Sequence, residues 1–466
     1  MPGEMRRAQH FKYCKEVLMR KSYSLFFVIC VSVLLFSCQA TPTEPPVIYQ
    51  GNDYIDGQTS EQSSELDVAD HLLYSKDING LLIQVDADVI VPKNKSNSVV
   101  EIEKAAFTKE DLQTYINYFT HENAVLYQNN KLTKRQIAEL IVGLEEATPD
   151  QLPEDLAESV KNELKTLYET APDEVSENNL RFSLDNVGSG ETFAAYALVN
   201  DDTYCHIGGT MDGNTFSYLK NSYTIPTPQS IFTENDLEWK DYSGEFPISK
   251  DAAISSAKQV LADLGIENME VSDAEKACAY HYYKVQTVES KGWRVVFTRT
   301  SNGLPSIYVP VASLWNTAEA PALGAPWDQE VIFVTVDEAG VYCFDWRGAG
   351  KQKQVLQENI DLLPFEDILE RVEKQLMYQH LPQNNEKVDF SISVKEIRLD
   401  SALVNVANEM DIGRMIPVWD IYYDIVYQDG TSSELETYVL TINAIDGRYI
   451  EPRITKTTID EVSSGE

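Results

Sequence analysis

Apolar and polar residues alternate along residues 81–91, which predicts a strand with one buried face. The apolar side is formed by Leu81, Ile83, Val85, Ala87, Val89 and Val91, and the polar side by Gln84, Asp86 and Asp88. Successive side chains of a β-strand point to opposite faces of the sheet, so a period of two residues indicates this structure. Pro92 cannot donate a backbone hydrogen bond, and we expect the strand to end before it.

Three helices are predicted next. Residues 108–111 and 133–136 have the form of capping boxes, with Asp111 in place of Glu in the first. The third helix is expected after Pro153, and its buried stripe is Leu156, Val160, Leu164 and Leu167. Four strands should follow within residues 180–219, with the sequences LRFSL, TFAAYALV, YCHIGG and FSYL. Residues 66–225 are therefore interpreted as one N-terminal α+β domain.

One amphipathic helix followed by several strands then occurs twice, after a proline-rich connection at residues 222–236. Ser249 is placed to cap the first helix and Gly265 to end it. The second helix starts after Pro364 and carries the apolar stripe Phe365, Ile368, Leu369, Val372 and Leu376. The fold class is thus α+β, with two tandem helix-plus-antiparallel-sheet modules at residues 240–350 and 360–452. Each helix should cover one sheet face, and the polar tail at 453–466 should be disordered.

The first forty residues indicate export. The apolar run Leu25–Phe36 follows Arg20 and Lys21, and it is shorter than the roughly 20 residues of a membrane-spanning helix. These features are typical of a secretory signal peptide, here residues 1–37. Met19 begins a conventional signal by itself, so we expect translation to start there. Residues 38–65 are rich in Pro, Ser, Thr, Gly and acidic residues, which predicts a flexible tether.

The end of the apolar run resembles the bacterial lipobox, with the sequence Leu35-Phe36-Ser37-Cys38. The resemblance implies transfer of a diacylglyceryl group to the Cys38 thiol and cleavage between Ser37 and Cys38. It also implies a mature lipoprotein held in the membrane by acyl chains such as palmitate, since two chains anchor far better than one. The alternative is an ordinary signal peptide that leaves the thiol of Cys38 free.

The net charge of the chain limits the classes of molecule that it can bind. The sequence has 74 acidic and 38 basic side chains, for a net charge of −36. Residues 1–37 hold six Lys or Arg and two Glu, so their removal leaves about −40. A chain of this charge repels nucleic acids and anionic headgroups. Nucleic-acid binding is therefore excluded, and the charge serves either solubility or the binding of cations and basic partners.

The sequence offers few residues for chemistry. After export Cys205, Cys278 and Cys343 remain, and three buried free thiols are favoured over one disulfide with a spare thiol. HExxH, GxSxG, GxxxxGK[ST] and GxGxxG motifs are absent. No catalytic, cofactor-binding or metal-binding residue is therefore predicted.

Three weak candidates are each outweighed by an ordinary structural explanation. Asp86 and Asp88 share a strand face and could bind Ca²⁺, although a solvated face is favoured. The aromatic residues Tyr280, Tyr282 and Tyr283, with His281, and Trp419, Tyr422 and Tyr423 could line a groove, although packing in the sheet is favoured. Ser255 and Lys258 match SxxK, but they lie within an amphipathic helix.

The C-terminal half resembles known modules. FPISKDAAISSAKQVLADLGI at residues 246–266, IPVWDIYYDIVY at 416–427 and LTINAIDGRYI at 440–450 are similar to PepSY-type domains and to the extracytoplasmic YycH/YycI regulators of a cell-wall sensor kinase. The whole mature chain resembles an uncharacterised lipoprotein family of Clostridia and related Gram-positive bacteria. This resemblance implies a lipid-anchored protein on the extracytoplasmic face of the membrane. PepSY-type domains are associated with protease inhibition, which implies a protease-modulating role as one version of its function.

The hypothesis that follows is a non-enzymatic module that binds or regulates an envelope protein, a peptide or a wall component. One alternative is a secreted hydrolase whose carboxylates come together only in the fold. A second is a solute-binding lipoprotein, against which the lack of alternating βαβ units argues.

Replacing the proposed lipid attachment residue tests the predicted location. We expect Cys38→Ser to leave the membrane fraction and to lose the mass of the lipid, because the variant has no thiol to modify. Fractionation and intact-mass measurement check this, with Cys30→Ser in the signal segment as the matched control. A Cys38→Ser chain that stays in the membrane with the wild-type modification would contradict the anchor.

Overall fold

The structure is a computed structural model, and it shows an α+β fold, as the sequence predicts. It describes residues 66–455 except 67, 94–95, 121, 123, 129–131, 146–153, 174–180, 199–203, 221–229, 234–245, 282–286, 309–322, 381–387, 407–408 and 428–437. The predicted signal peptide, Cys38, the tether and residues 456–466 lie outside the described residues. Among the helices that the structure describes, none combines the length and apolar character needed to cross a membrane.

Five α-helices are described. They are α1 (Lys109–Phe119), α2 (Lys134–Glu145), α3 (Glu154–Thr170), α4 (Lys250–Asp263) and α5 (Phe365–His380). Three of them start as the sequence predicts. The Thr108 hydroxyl accepts from the Asp111 amide at 3.2 Å, and Thr133 and Gln136 form the same reciprocal box. The Ser249 hydroxyl accepts from the Ala252 amide at the start of α4.

Two sheets hold most of the chain. The strands of the nine-stranded sheet are β1 (His71–Ile78), β2 (Leu81–Ile90), β3 (Val99–Lys104), β12 (Leu323–Ala325), β15 (Gly350–Gln357), β16 (Phe390–Asn405), β17 (Ile412–Tyr427), β18 (Tyr438–Asn443) and β19 (Tyr449–Thr455). Those of the ten-stranded sheet are β4 (Leu126–Tyr127), β5 (Thr192–Leu198), β6 (Tyr204–Thr210), β7 (Phe216–Lys220), β8 (Ser230–Thr233), β9 (Met269–His281), β10 (Thr287–Ser301), β11 (Leu304–Pro305), β13 (Val331–Asp337) and β14 (Gly340–Arg347).

The strands that follow each long helix lie side by side and antiparallel. After α4 the order is β9, β10, β13 and β14, and after α5 it is β16, β17, β18 and β19. The last of these strands continues to Thr455, three residues beyond the predicted end of the second module at 452.

Strand pairing crosses the predicted segment boundaries. From segment 66–225, β1 and β2 belong to the nine-stranded sheet, where β2 runs parallel to β16. From the same segment, β5, β6 and β7 extend the ten-stranded sheet through the antiparallel pair of β7 with β14. The predicted segment boundaries rest on changes of composition along the chain. A strand, however, pairs with whichever open strand edge the fold brings beside it.

Each sheet has one face covered by helices. Leu112, Ile116 and Phe119 of α1 pack with Ala257 and Val260 of α4 on the ten-stranded sheet. The stripe of α5 packs on the nine-stranded sheet, against the predicted apolar side of β2. Leu81, Ile83, Val85, Ala87 and Val89 are all buried there, so the alternation predicted for this strand is confirmed.

Two local predictions are wrong. The segment LRFSL is not a strand: Arg181 makes an isolated bridge, and Leu184–Asn186 form a 3₁₀ turn. The Ser183 hydroxyl accepts from the Asp185 amide, a local bond that competes with strand pairing. In addition, Leu167 is 45% exposed instead of buried. The helix α3 packs with α2 in a small separate hydrophobic cluster, and the leucine that α3 buries there is Leu164.

The turn between β18 and β19 requires glycine. Gly447 has a φ of +76°, and a Cβ there would lie 2.1 Å from Cδ of Arg371 on α5. Its amide donates to the Asn443 carbonyl at 2.8 Å. The glycine at this turn therefore permits the positive φ and also lets α5 approach the sheet.

The pair of leucines on α3 gives a test of the packing. We expect Leu164→Ala to destabilise the α2–α3 hairpin by about 2–5 kcal/mol, since Leu164 is 1% exposed. Leu167→Ala on the same helix should cost less than about 0.5 kcal/mol, as at other surface positions. Urea unfolding with hydrogen exchange of the α2 and α3 amides measures both, and equal effects would contradict the assignment of the buried face.

Candidate functional site

The side of the nine-stranded sheet that faces away from α5 carries a group of carboxylates where β2, β16 and β17 lie side by side. Farther along β16 and β17, Val404, Ile416 and Val418 form an apolar cluster on this side. The alternation that buries Val85, Leu399 and Ile421 against α5 turns the neighbouring side chains the other way. We call this side the acidic face, defined by Asp86 and Asp88 of β2, Glu396 and Asp400 of β16, and Asp420 of β17.

Strand register aligns these side chains in rows. One row is His71, Asp88, Glu396, Tyr422 and Val439, from β1 across to β18. The next is Ile90, Arg398, Asp420 and Thr441. Asp400 lies opposite Val418, two residues along from Arg398 and therefore diagonal to Asp420.

Exposure falls steeply across the acidic face. The side chain of Asp88 is 77% exposed, that of Glu396 is 35% exposed and that of Asp400 only 1% exposed. Asp420 is completely buried. The acidic face thus leads from solvent at the sheet edge into the interior.

At the exposed end, two carboxylates contact one imidazole. Nε2 of His71 lies 3.1 Å from Asp86 Oδ1, and its Nδ1 lies 2.9 Å from Asp88 Oδ1. The hydrogen bond with Asp88 raises the pKa of His71, and the charges of both carboxylates add to it. The Asp86 and Asp88 carboxylates therefore lean over β1, the edge strand of the sheet.

At the buried end, two carboxyl groups share a site. The Thr441 hydroxyl donates to Asp420 Oδ1 at 2.5 Å, and among the described residues no donor reaches Asp420 Oδ2. Burial raises the pKa of Asp420 well above its usual range, and the neighbouring Asp400 raises it further. Burial likewise raises the pKa of Asp400 to about 6, despite the opposing effect of Arg398. Two carboxyl groups this close and this dry favour holding a proton between them.

Arg398 supplies positive charge at the middle of the acidic face. Its guanidinium lies 3.5 Å from Asp400 and 3.6 Å from Glu396, and its side chain is one-third exposed. Tyr422 of β17 lies beside Arg398. Burial is the main cause that raises the pKa of the Tyr422 hydroxyl, and the charge of Asp420 raises it further. One guanidinium does not balance the three carboxyl groups around it.

A cavity of about 40 Å³ lies beside the buried pair, where the two sheets meet. It has room for about two or three water molecules. Its polar lining comes from both sheets and their connections: Arg299, Ser306, Gln329, Glu330, Asp420 and Thr441.

The far wall of this cavity is a buried ion pair. Arg299 donates two hydrogen bonds to the Glu330 carboxylate and a third, of 2.6 Å, to the Gly350 carbonyl. The Trp346 indole N–H also donates to Glu330, at 3.2 Å. This ion pair is satisfied by its own hydrogen bonds. The carboxyl oxygen of the described cavity wall that has no hydrogen-bond partner is Oδ2 of Asp420.

The chain is weakly similar in structure to solved proteins, including the following two. No protein-family model matches the chain, and no curated protein does. An uncharacterized protein from Eubacterium rectale ATCC 33656 aligns with a TM-score of 0.40 at 12% identity, over 79% of this chain and 90% of that one. The Bacillus megaterium YpeB C-terminal domain aligns with a TM-score of 0.25 at 11% identity, over 57% and 84%. Similarities of this size assign neither a function nor a partner.

Asp86 and Asp88 share an exposed face, as the sequence predicts, and they flank His71. Within the part of the chain that the structure describes, no three His, Cys, Asp or Glu side chains are grouped to hold a metal ion. Their side chains are 71% and 77% exposed, which agrees with the solvated face that the sequence favours.

The aromatic candidates on β17 divide between the two faces. Trp419 and Tyr423 are buried against α5, which confirms the favoured interpretation of packing. The Tyr423 hydroxyl lies 2.9 Å from Nε2 of His380, whose pKa is lowered to about 4 by burial. Tyr422 lies on the opposite side, on the acidic face. Residues 282–286 lie outside the described residues.

The remaining candidates have structural roles. Cys205, Cys278 and Cys343 are free thiols, the first two buried, and burial raises the pKa of each. His206, next to Cys205, packs edge-on against Tyr196 across the strand pair. The Ser255 hydroxyl donates to the Asp251 carbonyl within α4, so the SxxK match has an ordinary helical explanation.

Little in the sequence alone predicts the acidic face. Asp420 interrupts an otherwise apolar or aromatic run at residues 415–423 of β17, and a charged residue inside such a run is a usable signal. Asp400 gives no such signal, because β16 also carries Lys395, Glu396 and Arg398. The partnership of His71 with Asp86 and Asp88 depends on the β1–β2 register, which a turn at Asn79 and Gly80 sets.

Removing one charge of the buried pair tests the proton-sharing interpretation. The unfolded chain releases this proton near pH 4, whereas the folded protein retains it to about pH 6 or above. Stability should therefore fall as the pH rises through this range. The Asp420→Asn amide can accept from Thr441 and donate to Asp400. We therefore expect it to flatten this pH dependence and to stabilise the fold at pH 8, by on the order of 1 kcal/mol.

Chemical denaturation between pH 4 and pH 8 measures this effect, with Asp328→Asn at an exposed site as the control. Asp420→Ala should destabilise the protein at every pH, because it leaves the Thr441 hydroxyl without its acceptor. If Asp420→Asn is as destabilising as Asp420→Ala at pH 8, the pair does not share a proton.

Proposed function

We propose that the protein is a lipid-anchored lipoprotein on the extracytoplasmic face of the membrane, where it binds a basic segment of an envelope protein or peptide without catalysing a reaction. The acidic face is the observation that carries this proposal. It joins five carboxyl groups on adjacent strands with one arginine among them. Opposite charge is what favours the approach and registration of a partner on such a surface.

The anchor comes from the sequence. The lipobox resemblance at Cys38 and the polar segment that follows it favour a body held close to the membrane. The strongly negative net charge would keep that body away from anionic headgroups and leave its acidic face accessible to basic proteins. The predicted likeness to PepSY-type and YycH/YycI modules fits a regulatory role, and it remains a prediction.

A hydrolase is the second candidate, and Asp400 with Asp420 is the observation that favours it. Two carboxyl groups with pKa values shifted by burial are a usual feature of acid–base catalysis. However, the cavity beside them, of about 40 Å³, is small against the roughly 300–1,000 Å³ of ordinary ligand sites. Because this cavity leaves little room for a substrate, binding is the better-supported function.

Affinity capture tests the proposed binding function. The bait is the mature chain from residue 38 with Cys38→Ser, incubated with an envelope extract of the producing cells. We expect one reproducible basic partner, because a complementary charge would favour its recovery. The Asp86→Asn/Asp88→Asn bait should lose that partner, whereas Glu267→Gln/Asp328→Asn, with the same loss of charge elsewhere, should retain it.

Two results would contradict the binding function. One is recovery of the same proteins by all three baits, which would indicate charge-driven adhesion without a site. The other is release of soluble products from wall fragments or peptides by the wild-type protein but not by Asp420→Asn, which would establish the hydrolase instead.

A further inference from the structure

We propose that β1 accepts one more strand from its partner, an extended segment with Lys or Arg at alternate positions. The inference rests on the proposed binding function for the existence of a partner, and it adds the mode of binding and the partner's chemistry. The juxtaposition behind it is an open sheet edge directly beside the carboxylates of Asp86 and Asp88.

The edge itself is suited to strand addition. β1 is the last strand of the nine-stranded sheet and pairs with β2 over all eight of its residues. Among the described residues no strand pairs with its other edge. Its sequence, HLLYSKDI, has neither Pro nor Gly, so every residue offers an N–H and a C=O. About half of these groups point away from β2, toward the place of an added strand.

The side chains of β1 leave this edge unprotected on the acidic face. Natural edge strands are commonly blocked by a lysine or a proline. Lys76, the lysine of β1, is instead paired with Glu373 of α5, on the covered side of the sheet. The uncovered side presents His71, Leu73 and Ser75, and Leu73 is 76% exposed. An added strand would place a side chain beside Leu73 and remove part of that apolar surface from water.

The neighbouring charges specify basic side chains in the added strand. Neighbouring strands lie about 4.8 Å apart, so an added strand on β1 would lie two strand spacings from β2. The long side chain of a Lys or Arg in the added strand can reach β2 over this distance. The carboxylates of Asp86 and Asp88 already lean over β1, since both contact the His71 ring. A neutral His71 leaves two negative charges there, and a protonated one still leaves one.

In the interior of the acidic face, carboxyl groups again outnumber basic side chains. Asp420 is fully buried on this face, and its Oδ2 meets no donor among the described residues. Arg398 alone stands between it and the exposed carboxylates. Backbone hydrogen bonds to β1 would then supply affinity, and the alternate basic side chains would supply specificity.

A defined peptide tests this proposal. The probe is a fluorescent ten-residue peptide with Lys at every second position and Val or Thr between, added to the mature chain with Cys38→Ser. We expect saturable binding in fluorescence anisotropy, and protection of the 71–78 amides in hydrogen exchange, because the added strand covers them. The same peptide with Glu for Lys should not bind. A version N-methylated on alternate amides should bind at least tenfold more weakly, because it cannot complete the backbone ladder.

Protein variants locate the site. Asp86→Asn/Asp88→Asn should weaken binding by about three- to tenfold and reduce its salt dependence, as expected for two exposed charge interactions. Glu267→Gln/Asp328→Asn should change neither. Leu73→Ser keeps the strand and its charges, and it should weaken binding through the lost apolar contact.

Other outcomes would overturn the proposal. Equal binding of the N-methylated peptide, without protection of residues 71–78, would mean contact through charge alone. Protection of these amides before any peptide is added, together with no binding, would mean that another part of the chain occupies the edge. Capture of a basic partner without peptide binding would reject strand addition and leave the proposed function standing. Peptide binding, together with a wild-type protein that carries no lipid at Cys38 in its own cells, would reject the anchored location and leave strand addition standing.

Discussion

The parallel pairing of β2 with β16 is the constraint on which the nine-stranded sheet depends. It joins strands that lie more than three hundred residues apart, with Val85 beside Val394 and Ile83 beside Ile392. In this register the buried residues of both strands lie on one side of the sheet. They form a continuous apolar surface against which the stripe of α5 packs. A slip of one residue would turn Asp86 and Asp88 toward α5 and would bury charges in place of apolar side chains. The packing of α5 and the position of the acidic face therefore have the same origin.

Local features of the fold could be predicted from the sequence, because their causes are local. The caps at Thr108 and Ser249 are hydrogen bonds within four residues, and the alternation along β2 reports directly which side is buried. Sheet membership could not be predicted, since β1 pairs with β2, and β2 joins them to the C-terminal strand β16 and not to β5 or β6. Composition carries no record of which distant edge a strand will meet. The wrong assignments at LRFSL and Leu167 have different causes. At LRFSL, a hydrogen bond of the Ser183 side chain favours a turn over a strand. At Leu167, the packing of α3 on the neighbouring helix determines which leucines are buried.

The candidate site shows the same division. The polar side of β2 was visible in the pattern of residues, whereas its continuation through Glu396 and Arg398 to Asp420 exists only once three strands are in register. The buried carboxyl pair also has a cost, because desolvation of a charge opposes folding unless a proton or a cation compensates it. Asp400 has the Arg398 guanidinium at 3.5 Å, and Asp420 has the Thr441 hydroxyl. Neither partner neutralises both acids, and three of the four carboxyl oxygens of the pair have no hydrogen-bond partner among the described residues.

The gradient of exposure separates two uses of negative charge on one surface. Asp86 and Asp88 are solvated, so each contributes little energy and acts mainly on the approach and registration of a charged partner. Asp400 and Asp420 are dry, so their protonation state responds strongly to any charge placed nearby. A basic side chain held at the exposed carboxylates would extend the positive charge of Arg398 along the row toward the interior. The acidic face would then couple the occupancy of the sheet edge to the protonation of the pair beside the cavity where the two sheets meet.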